Sequence, residues 1–365
     1  MRQLPPVRTL VVKVGSSSLT TPRGRLSQAR LAKVVRDVVR VRSGRHVSLV
    51  SSGAIASGWP ALGGTSRPKD MPGLQAAAAI GQGRLLAAYA QAFAAHRVTV
   101  GQVLLTQDDF LRRRHFVNAR NTIERLFRAG VVPVVNENDT VATEEIRFGD
   151  NDRLAALVAV MIGADLLVLL SDVGGIYTHD PRRGGARLMR QLDGSETISA
   201  TGPHRGSGGM ASKLEAARIA SAAGIPAVVA DCMSNEVLVR IVAGAEVGTY
   251  IAPRGRRIRG KKTWIGFAIG ALGRLVVDAG AERALRQRGA SLLPRGVIGV
   301  EGSFGPDDPV DVAGLDGHAF ARGISAYSAD ALRALVAARG APYDGSFERP
   351  VIHRDELVVM EPWES

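Results

Sequence analysis

The sequence predicts an α/β protein, an αβα sandwich on a mostly parallel sheet, followed by a small β-rich C-terminal domain. Three observations carry this. Up to about residue 250, apolar β-branched runs alternate with longer stretches of helical periodicity, as six or more βα repeats would, with helices on both faces of one sheet. Several of those runs are continuously apolar, which is what strands covered on both faces require. Beyond a basic stretch at 253 to 262 the texture changes to short strands and turns.

Taken in order, Thr9 to Val14 (TLVVKV) reads as the first strand, and GSSS leads to a helix capped by Ser27 at its start and Gly44 at its end. His46 to Ser51 is the second strand, again followed by small residues, Ser52, Gly53 and Ala54. An Ala-rich helix from Pro72 to Ala95 leads to a strand from Val98 to Leu105, and a helix from Asp108 to Ala129 leads to the buried strand in AGVVPVV. Next comes NENDTVATEEIRFGDND, Asn136 to Asp152, whose GDND opens a helix over LAALVAVMIGA. DLLVLLSD is a strand ending in Ser171 and Asp172, GGIYTHDPRRGG is turn-rich, and GSGGMASK opens a helix from Met210 to Ala223. IPAVVAD, a helix from about Asn235, and GTYI complete the unit. The domains are expected at 1–252, with a basic linker and connecting strand at 253–273, a β-rich domain at 274–352 and a C-terminal tail at 353–365. Short helices are expected near Ala281 to Gln287 and Ser328 to Ala338.

Composition narrows the function classes. The N-terminal run is interrupted by Lys13 after three apolar residues and shows neither a signal peptide nor a spanning helix, so a cytoplasmic protein is expected. Cys232 is the single cysteine, which excludes an internal disulfide, and the seven histidines are scattered without metal-ligand spacing. Of 47 cationic residues only six are lysines, so a lysine in a glycine-rich loop is informative where the chain otherwise writes arginine. The stretch PRGRRIRGKK holds six basic residues and no acid; it reads as a solvated connector or as an anion or nucleic-acid contact.

The acidic segment stands out against a formal net charge of +13, because its six carboxylates are offset only by Arg147. It lies just past a strand's carboxyl end, where open α/β sheets bind ligands. Asn and Asp there can accept from an ammonium and donate to a carboxylate, although a solvated loop with an Asp cap would also account for it. Three small-residue loops, KVGSSS, VSSGA and GSGGMASK, let backbone N–H groups converge on an anion, and two of them carry Lys13 and Lys213. Neither a P-loop nor a GxGxxG fingerprint is present, so the phosphate reading rests on the combination. Phosphoryl transfer needs positive charge on the moving group, and lysine supplies it as a compact point charge.

KVGSSSL, SSGAI, NENDTVATEEIRFGDND, LLSDVGGIYTHDP and GSGGMASK, in this order and spacing, resemble the amino acid kinase family and, within it, the glutamate 5-kinases. The tail resembles the PUA domain carried by many bacterial members, so the resemblance covers nearly the whole chain. NEND with GDND close behind, together with that tail, sets the chain apart from aspartate, acetylglutamate and uridylate kinases. Ser16 and Ser212 stand where threonine is common, keeping the hydroxyl.

The resemblance implies the amino acid kinase fold and in-line transfer of the ATP γ-phosphoryl group to the side-chain carboxylate of L-glutamate. The product, γ-glutamyl phosphate, opens proline biosynthesis. It implies Lys13, Asp152 and Lys213 as catalytic residues, Asp152 holding the lysines, with backbone N–H groups offered by Gly15 and Gly53. Ser52, Gly53, Asp139 and Asn151 match the family's glutamate-binding positions. Lys13, Gly15, Ser171, Asp172 and the loop Ser207, Gly208, Gly209, Met210, Ala211, Ser212 and Lys213 match its ATP-binding ones. Mg2+ is implied on the nucleotide phosphates rather than in a protein-held metal site. Further implied are a homo-oligomer, dimer or tetramer, feedback inhibition by proline, and functional coupling to glutamyl phosphate reductase. The residues alone suit an ammonium at the acidic segment and phosphates at the lysine loops; they do not name glutamate. Two rival readings stand beside this one. An RNA-binding protein would act through the PUA-like tail, although that tail lacks aromatic interleaving. A catalytically silent amino-acid sensor would keep the fold without the chemistry.

Overall fold

The computed structural model describes all residues except 1, 3, 22–24, 64–66, 142–150, 180–183, 194–208, 255–261, 263–264, 267–270, 339–348 and 360–365. The chain divides into two units, 1–256 and 257–365, each with its own apolar core. Among the described residues no helix is long and apolar enough to cross a membrane.

The first unit runs β1 (Thr9–Val14), α1 (Ser16–Leu19), α2 (Gln28–Val41), β2 (His46–Ser51), α3 (Ala54–Gly58), α4 (Met71–Ala94), β3 (Val100–Leu105), α5 (Gln107–Leu111), α6 (Arg113–Arg128) and β4 (Val132–Glu137). It continues with α7 (Asn151–Ile162), β5 (Leu166–Ser171), β6 (Gln191–Leu192), α8 (Met210–Ala222), β7 (Ala227–Asp231), α9 (Val237–Val242) and β8 (Thr249–Ile251). The strands form one sheet in the order β3-β4-β2-β1-β5-β7-β8-β6. All its pairings are parallel except β7 with β8. β1 is central: Lys13 pairs in register with Val50 of β2 on one side and Leu169 of β5 on the other. The chain leaves β1 toward β2 and β4 and later returns on the other side as β5. The carboxyl ends of β1, β2 and β5 therefore frame the crevice where strand order reverses.

Strand alternation then distributes β1 between the two faces. Leu10, Val12 and Val14 join one core with Leu31, Val34 and Val38 of α2, Leu85, Tyr89 and Phe93 of α4, and Leu238 and Ile241 of α9. Lys13 points to the opposite face, where α7 packs on β1 and against α8. A lysine inside an otherwise apolar strand is thus carried to the helices that bear Asp152 and Lys213.

Local differences from the sequence expectations have identifiable causes. The Asp70 carboxylate accepts from Gly73 N, so α4 begins at Met71, just before the expected Pro72. α2 ends at Val41, and Gly44 sits beyond it in a left-handed turn at φ +69°. The strand expected from Val98 starts at Val100, and the helix expected from Asn235 starts at Val237, after Glu236 in the left-handed region. The single helix expected from Asp108 to Ala129 is two, broken at the extended Arg112. Thr106 and Asp109 form a reciprocal capping box that starts the short α5. Phe110 and Phe116, six residues apart, would point about 120° apart on one continuous helix. The break lets both be buried, edge to face with ring centroids 6.3 Å apart.

The second unit contains β9 (Gly273–Val277), α10 (Ala279–Arg288), β10 (Val297–Gly302), β11 (Pro309–Ala313), β12 (Ala319–Ile324), α11 (Ala329–Ala337) and β13 (Leu357–Val359). Its sheet has the order β10-β9-β11-β12-β13, over a core that includes Leu275, Val310, Phe320, Leu332 and Ile352. The last strand corrects the expected limit at 352: Leu357 pairs with Gly323 of β12, inside the stretch read as a tail. The polar residues before it form a tight turn, Arg354–Glu356, whose start is capped by His353. Of the basic stretch read as a linker, 255–261 lie outside the described residues.

Candidate active site

At the carboxyl ends of the central strands lies a cavity lined by the residues after β1, β2 and β4, by Ser171 of β5, and by Asn151 and Lys213 from the first turns of α7 and α8. Two kinds of polar group face it. Lys13 and Lys213 supply cationic groups; Glu137, Asp139 and Asn151 supply acidic and amide groups.

The cationic part is organised by one buried carboxylate. Asp152 Oδ1 lies 2.6 Å from Lys13 Nζ, and its Oδ2 accepts from Lys213 Nζ at 3.1 Å and from the Ser212 hydroxyl at 3.1 Å. Asp152 is fully buried, and Lys13 and Lys213 are only 1% and 5% exposed, so neither ammonium can wander. Asp152 sits in the first turn of α7, where the helix dipole favours a negative charge. Removing two ammonium groups from water is costly unless they stay hydrogen-bonded to anions. A phosphate group entering the cavity would meet donors already in place.

The second part rests on an amide network between strand ends. Asn151 Nδ2 donates to Asn136 Oδ1 at 2.7 Å and to the Ser51 carbonyl at 2.9 Å. Behind them, Asn136 Nδ2 donates to Gln82 Oε1 at 3.2 Å, and Gln82 Nε2 donates to the Glu137 carbonyl at 3.1 Å. Two turns along α4 from Gln82, the Tyr89 hydroxyl meets the Ser51 hydroxyl at 2.9 Å. Burial pushes the Tyr89 phenol well above its ordinary pKa, so it stays a neutral O–H. α4 therefore braces the ends of both β2 and β4.

The same helix supports the loop after β2. A Cβ on Gly81 of α4 would lie 1.7 Å from the Ala54 carbonyl oxygen, and one on Gly58 of α3 would lie 1.8 Å from the Ala77 carbonyl oxygen. Only paired glycines permit this backbone-to-backbone crossing. Gly53, at φ +108°, makes the turn into α3 that a residue with a side chain would adopt only under strain.

Of the residues singled out from sequence, Lys13, Gly15, Ser52, Gly53, Asp139, Asn151, Ser171 and Lys213 line this one cavity. Asp152 and Ser212 lie behind it. Asp172 accepts from the Ser171 hydroxyl at 3.2 Å. Gly209, Met210 and Ala211 form the start of α8, with Gly209 at its cap, but do not line the cavity. Ser207 and Gly208 lie outside the described residues, as do Gly149 and Asp150 of GDND. The sequence reading assigned no site role to Ser17, Arg67, Asn136 or Glu137, which also line the cavity, nor to Gln82 and Tyr89 behind it. Asn136 and Glu137 open the acidic segment Asn136 to Asp152. Gln82, an amide between two glycines in an Ala-rich helix, offered a weaker signal.

The model of the amino acid kinase family matches residues 8–231, and that of the PUA domain matches 273–340. Over 363 residues the chain is 47% identical to the glutamate 5-kinase of Myxococcus xanthus, covering 97% of this chain and 96% of that one. Over 367 residues it is 47% identical to the glutamate 5-kinase of Streptomyces avermitilis, covering 97% of each. A solved structure of the UMP kinase from Bacillus anthracis aligns with 69% of this chain and 98% of its own, at 16% identity and a TM-score of 0.47.

Proposed function

The chain belongs to the amino acid kinase family, among its glutamate 5-kinases, and from that premise we propose that its cavity transfers the γ-phosphoryl group of ATP to the side-chain carboxylate of L-glutamate. The observation that carries the assignment to this cavity is the pair of lysines held on Asp152 beside Asp139 and Asn151. One glutamate carboxylate oxygen attacks the γ-phosphorus, the bond from phosphorus to the β,γ-bridging oxygen breaks, and ADP leaves with that electron pair. The product is γ-glutamyl phosphate, the mixed anhydride that begins proline synthesis.

The nucleophile needs no general base, because a carboxyl of this kind titrates near about 4.3 and is ionised at neutral pH. What the reaction needs is charge neutralisation and alignment. Lys13 and Lys213 supply the first, and Asp152 keeps their ammonium groups in place, with Ser212 donating to the same carboxylate. Gly15 and Gly53 leave their backbone N–H groups accessible to phosphate oxygens. Asp139 and Asn151, with Ser52, hold the amino-acid end of glutamate; Ser171, Asp172 and the start of α8 hold the nucleotide.

Among the described residues, the Asp152 carboxylate is taken up by two lysines and a hydroxyl, which does not suit it as a metal ligand. Mg2+ would accordingly arrive with the nucleotide and supply charge neutralisation on its phosphates. The family reading also supports a homo-oligomer, inhibition by proline as an amino-acid competitor or effector, and coupling to the reductase that consumes the labile product. RNA contact by the PUA-matching unit is a second activity, favoured by that match alone.

The test combines ATP, Mg2+ and glutamate with hydroxylamine, which converts an acyl phosphate into a hydroxamate. Glutamate-dependent hydroxamate is expected from the wild type. In Lys213→Ala, turnover should fall by about 10²–10³ with the fold intact, as when one preorganised donor is removed. No hydroxamate from folded wild type at saturating substrates would favour the silent sensor; wild-type turnover in Lys213→Ala would remove Lys213 from the mechanism.

A further inference from the structure

We propose that Gln82, which lies behind the cavity wall, is a positioning residue that acts through Asn136, together with the Ser51 carbonyl, to hold the Asn151 amide with its oxygen toward the substrate, and so makes the site read an ammonium group. The inference rests on the kinase reading above and deepens it.

A backbone carbonyl can only accept and a backbone N–H can only donate, so backbone groups can fix the orientation of side-chain amides. The Glu137 carbonyl accepts from Gln82 Nε2 at 3.1 Å, which turns Gln82 Oε1 toward Asn136 Nδ2 at 3.2 Å. Asn136 Oδ1 is then the atom that accepts from Glu137 N at 2.9 Å and from Asn151 Nδ2 at 2.7 Å. The second hydrogen of Asn151 Nδ2 goes to the Ser51 carbonyl at 2.9 Å. Both amide hydrogens of Asn151 are committed, which leaves Oδ1 as the polar atom it can offer to a ligand.

Asn151 therefore presents an acceptor, and the neighbouring Asp139 carboxylate, when ionised, can only accept. Two acceptors together suit a substrate ammonium and disfavour a carboxylate at that point. From sequence, asparagine could have served either group; the Ser51 carbonyl and the chain from Gln82 through Asn136 together remove the choice. Gln82 and Asn136 are buried, 8% and 4% exposed, so water does not readily substitute for a lost link.

The experiment measures the KM for glutamate, the KM for ATP, kcat, and the Ki of glutarate, which lacks the ammonium group, as a competitor of glutamate. Wild type, Gln82→Met and Gln102→Leu are compared, with thermal melts to establish folding. Methionine keeps the length and helix preference of glutamine without its hydrogen bonds. Gln102 is an exposed outer partner that donates to Gln82 Oε1 at 3.4 Å. Gln82→Met should raise the KM for glutamate about tenfold and lower the preference for glutamate over glutarate about tenfold. Its kcat and KM for ATP should stay within twofold, and Gln102→Leu should leave all four unchanged. An unchanged glutamate preference in folded Gln82→Met overturns the proposal, as does an equal loss for glutamate and glutarate, which a merely structural role would give. If Gln82→Met does not fold, Asn136→Leu decides. It removes the acceptor that takes a hydrogen of Asn151 Nδ2, and must show the same loss of preference or the proposal fails. Absence of turnover in the wild type overturns the kinase reading and this proposal with it; normal wild-type turnover with an unchanged preference in the variants overturns this proposal alone.

Discussion

Lys13 and Lys213, two hundred residues apart, reach the two oxygens of a single buried carboxylate, Lys13 at 2.6 Å and Lys213 at 3.1 Å. Asp152→Asn keeps the shape and removes the charge that both ammonium groups share. Breaking a buried pair of this kind costs about 3–5 kcal/mol, and kcat should fall by about 10²–10³. The KM for ATP should stay level or drop, because the lysines lose a competitor for the phosphates while losing their alignment. Steady-state kinetics and denaturant unfolding check this, and a raised KM for ATP with kcat unchanged would show that Asp152 serves binding instead.

Asp139 lines the same cavity from the residues just after β4, the strand that carries Asn136, whose side chain holds Asn151. Asp139→Ala should therefore act on the amino acid: the KM for glutamate rises, with kcat and the KM for ATP within a few-fold. The reverse pattern, with ATP affected and glutamate not, would place Asp139 on the nucleotide.

Two glycines of α4, two residues apart, should respond oppositely to alanine. At Gly81 the new Cβ would lie 1.7 Å from the Ala54 carbonyl oxygen, so α3 must be pushed away. Overpacking of this kind costs about 1–3 kcal/mol, and the shift should also raise the KM for glutamate through the Ser52–Gly53 turn. At Gly83 a Cβ meets nothing within 4 Å, and alanine in an exposed helix interior should stabilise by about 0.5–1 kcal/mol. Thermal melts of the two variants read both signs.

Cys232 is buried, and burial pushes its thiol up to about 11, only partly offset by the nearby Lys33 ammonium. A raised folded-state value favours the neutral thiol. Its contribution to stability is full below the ordinary value of 9.0 and is lost as pH rises toward about 11. The native protein should resist a thiol reagent at pH 8 and yield one reactive thiol on unfolding. Rapid labelling of the folded protein would show that this end of β7 opens.

The cavity residues all belong to the unit 1–256, whose apolar core includes strands β1, β2, β4, β5 and β7. That unit also keeps its terminal contacts, the Ser221 hydroxyl donating to the Ala252 carbonyl at 2.6 Å and Arg254 N to the Ser221 carbonyl at 2.8 Å. A chain ending at Arg256 should fold and retain kcat within about tenfold, a difference of ~1.4 kcal/mol. Any proline inhibition and self-association that the full chain displays are the properties expected to change. A folded truncation that binds both substrates yet turns over a thousandfold more slowly would show that the second unit completes the site.

The sequence by itself determined the parts that depend on local pattern. β1 and β2 fall where apolar β-branched runs placed them, and the scarcity of lysine singled out Lys13 and Lys213 before any geometry was known. Strand alternation could even say that Lys13 faces away from Val12 and Val14. Only the tertiary structure decided what lies opposite. The pairing of β1 with both β2 and β5, the crossing of α3 and α4 at Gly58 and Gly81, and the support of Asn136 by Gln82 join segments far apart in the chain. No local periodicity encodes such partners. The same holds for the break at Arg112, where burying Phe110 and Phe116 together outweighed a continuous helical pattern, and for β13, whose place is set by pairing with β12. The cavity's charged residues were legible in the sequence because charge in an apolar setting is conspicuous. The orientation of Asn151 was not, because an amide carries a donor and an acceptor of nearly equal size, and only fixed backbone groups around it choose between them.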